Sequence, residues 1–109
     1  MSEPYTLIPN LLEQIAVQSA SIVSKTVYAD DRLKAVTMAL DTGQELSEHT
    51  AAVPAVVHLL SGKATLTLGE DTHVLGAGAW LRMPAKMPHS VLAEEPTVLL
   101  LLLLKSQPA

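Results

Sequence analysis

A chain of 109 residues with 49% hydrophobic and 17% charged content has the length of one domain, residues 1–109, and too much apolar material to stay disordered. Its net charge of −4, with Lys and Arg scattered singly, argues against nucleic acid as a partner. The lack of cysteine excludes disulfides, thiolate metal sites and thiol nucleophiles together.

The chain opens with MSEPYTLIPN, which carries Glu3, no basic n-region and no long apolar run. No signal peptide is expected, and the expected location is cytoplasmic. Residues 1–20 read as an N-terminal arm. Within it, Pro9 to Ser19 has helical character for a turn or two. Asn10 is the expected cap, with Leu11, Leu12, Ile15 and Ala16 on one side.

Beyond the arm, short runs rich in Val, Leu, Thr and Ile alternate with turn signals such as Asp41-Thr42-Gly43, Ser61-Gly62, Gly76-Ala77-Gly78 and Glu94-Glu95-Pro96. Strands spaced by about 8–12 residues predict an all-β sandwich or barrel. The clearest alternation is Ala64-Thr65-Leu66-Thr67-Leu68, with Ala64, Leu66 and Leu68 on one face. Gly62 to Leu75 then reads as a hairpin turning at Gly69-Glu70-Asp71.

The last run, Val98 to Leu104, is VLLLLLL. A membrane helix needs about 20 apolar residues, so no membrane partner is expected. As a strand it is apolar on both faces, and each face needs a cover: the domain's own core, then a second sheet or subunit. Aromatic residues make up only 3% of the chain and Phe is absent, so the core is aliphatic and small. Such a domain gains from burying more surface in an oligomer, and a homodimer is expected.

Two histidine motifs carry the chemistry. Gly43 is followed after five residues by His49, and the segment closes at Gly62. Downstream, Gly78 is followed by Pro84 and then His89. These spacings resemble the paired motifs of the cupin superfamily, G-x5-H-x-H-x3,4-E-x6-G over 43–62 and G-x5-P-x-G-x2-H-x3-N over 78–93. The resemblance, to the small single-domain conserved-barrel kind, implies a small antiparallel β-barrel or double-stranded jelly roll behind a short N-terminal arm. It also implies a small-molecule partner and one divalent ion (Zn, Fe, Mn or Ni), held in the family by three histidines and a glutamate.

The departures are specific. Ala51 stands at the second histidine of the first motif and Ala55 at its glutamate. Lys86 replaces the usual glycine of the second motif, and Ala93 its asparagine. His49 and His89 remain as the implied metal ligands. Zinc sites generally take at least three protein ligands, and non-haem iron two histidines and a carboxylate. A third ligand would have to come from His58, Glu48, Glu45 or Gln44. If Ala55 faces the barrel interior, alternation turns Val57 and Leu59 inward and His58 outward. A bulge near Pro54 would reverse that parity and make His58 the possible third ligand.

Other residues offer less. His73 follows the hairpin turn and reads as solvated. Ser61 and Ser90 sit in no nucleophile elbow. Neither Gly62-Lys63 nor Gly76-Ala77-Gly78 opens a helix that could cradle phosphate. Glu94-Glu95 reads as a solvated turn. Trp80 has a structural role or lines the pocket mouth, and Met38, Met83 and Met87 fit core packing or an adaptable lining.

Three functional readings follow. The first is a small-molecule-binding module, non-catalytic or weakly metal-binding, in which His49 and His89 serve as neutral hydrogen-bonding groups. The second is a metal-dependent enzyme of dioxygenase or isomerase type using His49, His89 and an irregular third ligand. The third is a purely structural dimerisation domain.

Overall fold

Side chains that alternate in and out along each strand build two antiparallel sheets in the computed structural model, which describes residues 4–105. The strands are β1 (Ile22–Ala29), β2 (Leu33–Leu40), β3 (Glu45–His49), β4 (Ala55–Ser61), β5 (Lys63–Leu68), β6 (Asp71–Gly76), β7 (Trp80–Met83), β8 (His89–Ala93) and β9 (Thr97–Leu104). One sheet has the order β1-β2-β9-β4-β7 and the other β3-β8-β5-β6. Their facing sides enclose one aliphatic core. This is the antiparallel all-β sandwich that the strand rhythm predicts. Among the described residues no helix is long and apolar enough to cross a membrane.

The N-terminal segment forms one short helical turn, at the lower end of what its pattern suggests. Asn10 does cap, its side chain accepting from the Leu12 amide at 3.1 Å, but the result is a single 3-10 turn, Leu11–Glu13. Leu11 and Ile15 are half-buried, whereas Leu12 and Ala16 are exposed, so the four do not form one covered side. Three residues close one hydrogen-bonded turn, too few to propagate a helix.

The hairpin is as expected, with β5 and β6 joined through Gly69 and Glu70. Gly69 has φ +61, as the first central residue of a type II′ turn requires. Ala64 and Leu66 are fully buried, while Thr65 and Thr67 turn outward, where Thr65 donates to the Glu94 carboxylate at 2.9 Å.

The apolar strand β9 is central, paired with β2 on one side and β4 on the other. Leu99, Leu101 and Leu103 enter the core. Val98, Leu100, Leu102 and Leu104 therefore point to the outer face of the five-stranded sheet. Val98 is buried there, whereas the three leucines are half-buried. The arm crosses part of that face and leaves a cavity of about 530 Å³, lined among others by Tyr5, Ile8, Val27, Tyr28, Leu33 and Leu100.

At one rim of this cavity the β1–β2 turn is pinned by Asp30. Its carboxylate accepts from the Tyr28 hydroxyl at 2.6 Å and from the amides of Arg32 and Leu33 at 2.7 and 2.8 Å. These bonds, the tyrosine's first, hold the Asp30 carboxyl below its ordinary value of 3.8. The same pairing, together with lesser contributions from burial and the charge of Asp30, raises the Tyr28 hydroxyl above its ordinary 10.0. Because the folded Asp30 value is depressed, its stabilising effect is present above pH 3.8 and is lost as pH falls through the folded value. An Asp30→Asn variant should melt below the parent at neutral pH. The gap should narrow when thermal unfolding is followed to progressively lower pH in the acid range.

A second constraint lies at the β4–β5 connection. Gly62 has φ +89, and a Cβ there would fall 2.6 Å from Thr97 Oγ1 and 2.7 Å from Thr97 Cα. Thr97 is itself fully buried and bridges the Lys63 and Glu95 carbonyls. Backbone would have to move to admit a methyl group. Gly62→Ala is expected to cost about 2 kcal/mol or more in denaturant unfolding.

Candidate functional site

The two motif histidines meet at one end of the four-stranded sheet. His49 ends β3, His89 begins β8, and the two are direct register partners. Their rings lie edge to face, with centroids 4.1 Å apart and planes at 61°. His89 is buried and His49 is exposed, which places the pair where the core opens to solvent.

A β-bulge decides which side chain of β3 takes this place. Leu46 pairs with Val91 and His49 with His89, so three residues on β3 advance against two on β8. Strict alternation from the core-facing Leu46 would bring Glu48 opposite His89. The extra residue brings His49 there instead. An acid–imidazole pair is thereby replaced by two imidazoles.

Each ring is then held the same way. His49 Nδ1 lies 2.7 Å from the Ser47 carbonyl oxygen, and His89 Nδ1 lies 2.9 Å from that of Met87. A carbonyl only accepts, so each Nδ1 carries the proton and donates it. In the neutral ring Nε2 is left as a lone-pair acceptor or ligand atom. Neither Nε2 has a hydrogen-bonding partner among the described residues, and no buried side-chain nitrogen or oxygen there is without one. The free nitrogen of His89 is thus reached by solvent even though the residue is buried.

Three loops frame this end. The Lys86 amide donates to the Ala51 carbonyl at 2.7 Å, tying the β7–β8 loop to the segment after β3. The Gly69 amide donates to the Pro88 carbonyl at 2.8 Å, which adds the β5–β6 turn. Lys86 itself has φ +70, a left-handed conformation that favours glycine. The sequence marks Lys86 only as a departure from the family pattern. Its positive φ explains why glycine is usual there, and its exposed ammonium adds a cation to the loop leading into His89.

The remaining candidates lie apart from this pair. Ala55, Val57 and Leu59 face the core, so His58 is on the outer face, between Leu100 of β9 and Trp80 of β7 in register. The shift in the β4–β9 register comes after His58, between Leu59 and Ser61, and does not turn it inward. Trp80 is 62% exposed on that same outer face, away from the histidine pair. Glu45 pairs with Leu92, on the side opposite Val91. Glu48 lies exposed within the bulge, and Gln44 precedes β3. His73 is exposed on the edge strand β6. Met83 is buried in the core and Met87 packs against it. Among the described residues no group of three His, Asp or Glu side chains is placed to hold a metal ion. The 530 Å³ cavity under the arm belongs to the other face of the molecule, and the Asp30 carboxylate on its rim is already hydrogen-bonded.

A family model described as a cupin domain matches residues 36–104. No functionally curated protein matches the chain. Among solved structures, a conserved Streptococcus pyogenes protein of unknown function is 28% identical, with TM-score 0.84 over 99% of this chain and 93% of that one. A cupin 2 conserved barrel domain protein from Leptotrichia buccalis is 33% identical at TM-score 0.83, covering 88% of this chain and 47% of that one. A cupin superfamily protein from Desulfitobacterium hafniense shares the fold, with TM-score 0.84 at 19% identity over 97% of this chain and 95% of that one.

The left-handed backbone at Lys86 has a direct consequence for stability. Lys86→Gly should be neutral or stabilising by up to about 1 kcal/mol in denaturant unfolding, because relief of strain opposes the added freedom of the unfolded chain. Lys86→Val should destabilise, since a β-branched side chain tolerates positive φ least.

Proposed function

The chain belongs to the cupin family, and we propose that it is a small-molecule-binding module, non-catalytic or weakly metal-binding, whose recognition groups are His49 and His89. The observation that carries this reading is the common anchoring of the two rings. Both Nδ1 atoms donate to backbone carbonyls, 2.7 and 2.9 Å away, and both Nε2 atoms remain free where the core meets solvent. The fixed rings cost a ligand little in side-chain ordering when it binds.

A divalent cation fits this donor set only in part. The two Nε2 atoms are of the right chemical kind and in the ligating tautomer. Alanines stand at 51 and 55, and no third His, Asp or Glu joins the pair among the described residues. Two neutral donors fall short of the three protein ligands of a catalytic zinc site. Tag-free protein is therefore expected to purify with far less than one equivalent of Zn, Fe, Mn or Ni. It should take up added Ni²⁺ only weakly, and His49→Ala should abolish that uptake. Elemental analysis and titration calorimetry check both points, and a tightly held stoichiometric metal would contradict the reading.

The same proposal includes a homodimer formed through the outer face of the five-stranded sheet. Leu100, Leu102 and Leu104 are half-buried there, Trp80 is exposed, and the arm exposes Tyr5 and Leu7. Charged outer residues are few near β9, whereas the four-stranded sheet turns Thr65, Thr67 and Ser90 outward. Sedimentation analysis should give a dimer, and Leu102→Asp should shift it toward monomer. A monomeric parent protein would remove this part of the proposal.

A further inference from the structure

The hydrogen-bonding sense of the site restricts what it can bind, and this inference rests on the reading of His49 and His89 as the recognition groups. With Nδ1 committed to the Ser47 and Met87 carbonyls, each neutral ring offers only an acceptor. The rings are 4.1 Å apart, so the two acceptors are neighbours. A ligand that satisfies both brings two donors close together. Neighbouring hydroxyls do this, and so would amines.

Lys86 distinguishes between those donors. It lies three residues before His89, on the loop whose amide is tied to Ala51, and its side chain is exposed. Its ammonium has no hydrogen bond or ion pair among the described residues. Ammonium groups donate and never accept, so the complement of Lys86 is an anion, and a cationic amine ligand would be repelled. Exposed acidic groups stand nearby too, Glu48 in the bulge and Glu70 in the β5–β6 turn, so the charge at the rim is mixed. Asp71 is separated from His89 by β5, about 10 Å at the usual strand spacing. Lys86 is the cation on the segment that leads directly into His89. It stands at φ +70, its amide bonded to the Ala51 carbonyl, at a position where the family pattern has glycine.

We propose that the site recognises a polyhydroxylated carboxylic acid without a metal, the neighbouring hydroxyls donating to Nε2 of His49 and His89 and the carboxylate lying against Lys86. Replacement of the family's carboxylate by Ala55 fits this assignment, because an acid at that position would repel such a ligand.

The test uses EDTA-treated full-length protein and titrates D-gluconate, with D-glucitol as the neutral polyol of the same length. Binding is read by calorimetry and by the imidazole signals in NMR. D-Gluconate is expected to bind at least ten times more tightly than glucitol. His49→Ala should weaken both ligands. Lys86→Gln should weaken gluconate at least tenfold and leave glucitol unchanged. Both substituted residues are exposed, and melting curves of the variants confirm that they fold. Gluconate that binds no better than glucitol, or only after a divalent metal is added, overturns the assignment. A response to glucitol that depends on His49 would still leave the small-molecule reading standing. Silence of the imidazole signals with both ligands would overturn the two together.

Discussion

The extra residue in β3 sets what this end of the molecule presents. Between Leu46 and His49 the chain advances three positions while β8 advances two, and the side chain opposite His89 becomes an imidazole in place of the Glu48 carboxylate. Backbone carbonyls of Ser47 and Met87 then fix both rings by the same bond. A histidine otherwise chooses its tautomer by its surroundings; here main chain makes the choice at both positions. The chemistry of the site follows from that constraint: two acceptors, side by side, with a lysine on the adjoining loop.

The two sheets divide the remaining work. Their inner faces share one aliphatic core in which Leu40, Leu59, Leu66 and Leu99 are almost wholly buried. Their outer faces differ. The four-stranded sheet, which carries the histidines, is dressed with threonine and serine outside. The five-stranded sheet is apolar outside along β9, with Lys25 and Arg82 farther out on β1 and β7, and the N-terminal arm covers only part of it. The proposed dimer surface thus lies on one sheet and the proposed ligand groups on the other.

Local signals in the sequence were enough for the succession of strands and turns but not for the features that aim the site. Period-two alternation in Ala64 to Leu68, glycine at the β5–β6 turn and the double-faced apolar run of β9 are properties of neighbouring residues, and all appear in the fold. The outward turn of His58 follows from the same alternation once Ala55 faces inward. The bulge in β3 is different. No glycine or proline interrupts Leu46 to His49, and the bulge exists only in relation to the register of β8, some forty residues away. The positive φ of Lys86 also accompanies a long-range contact that no local pattern records, the bond from its amide to the Ala51 carbonyl. For Lys86 one clue was present, since it occupies the glycine position of the second motif.

The proposed recognition by His49 and His89 depends on which nitrogen of each ring carries the proton. A long-range ¹H–¹⁵N spectrum of the imidazoles, recorded at about pH 8.5 where an ordinary histidine is neutral, reads this directly. His49 and His89 are both expected to appear as Nδ1–H tautomers with unprotonated Nε2. An Nε2–H tautomer at either residue, or rapid exchange between the two forms, would contradict the proposal.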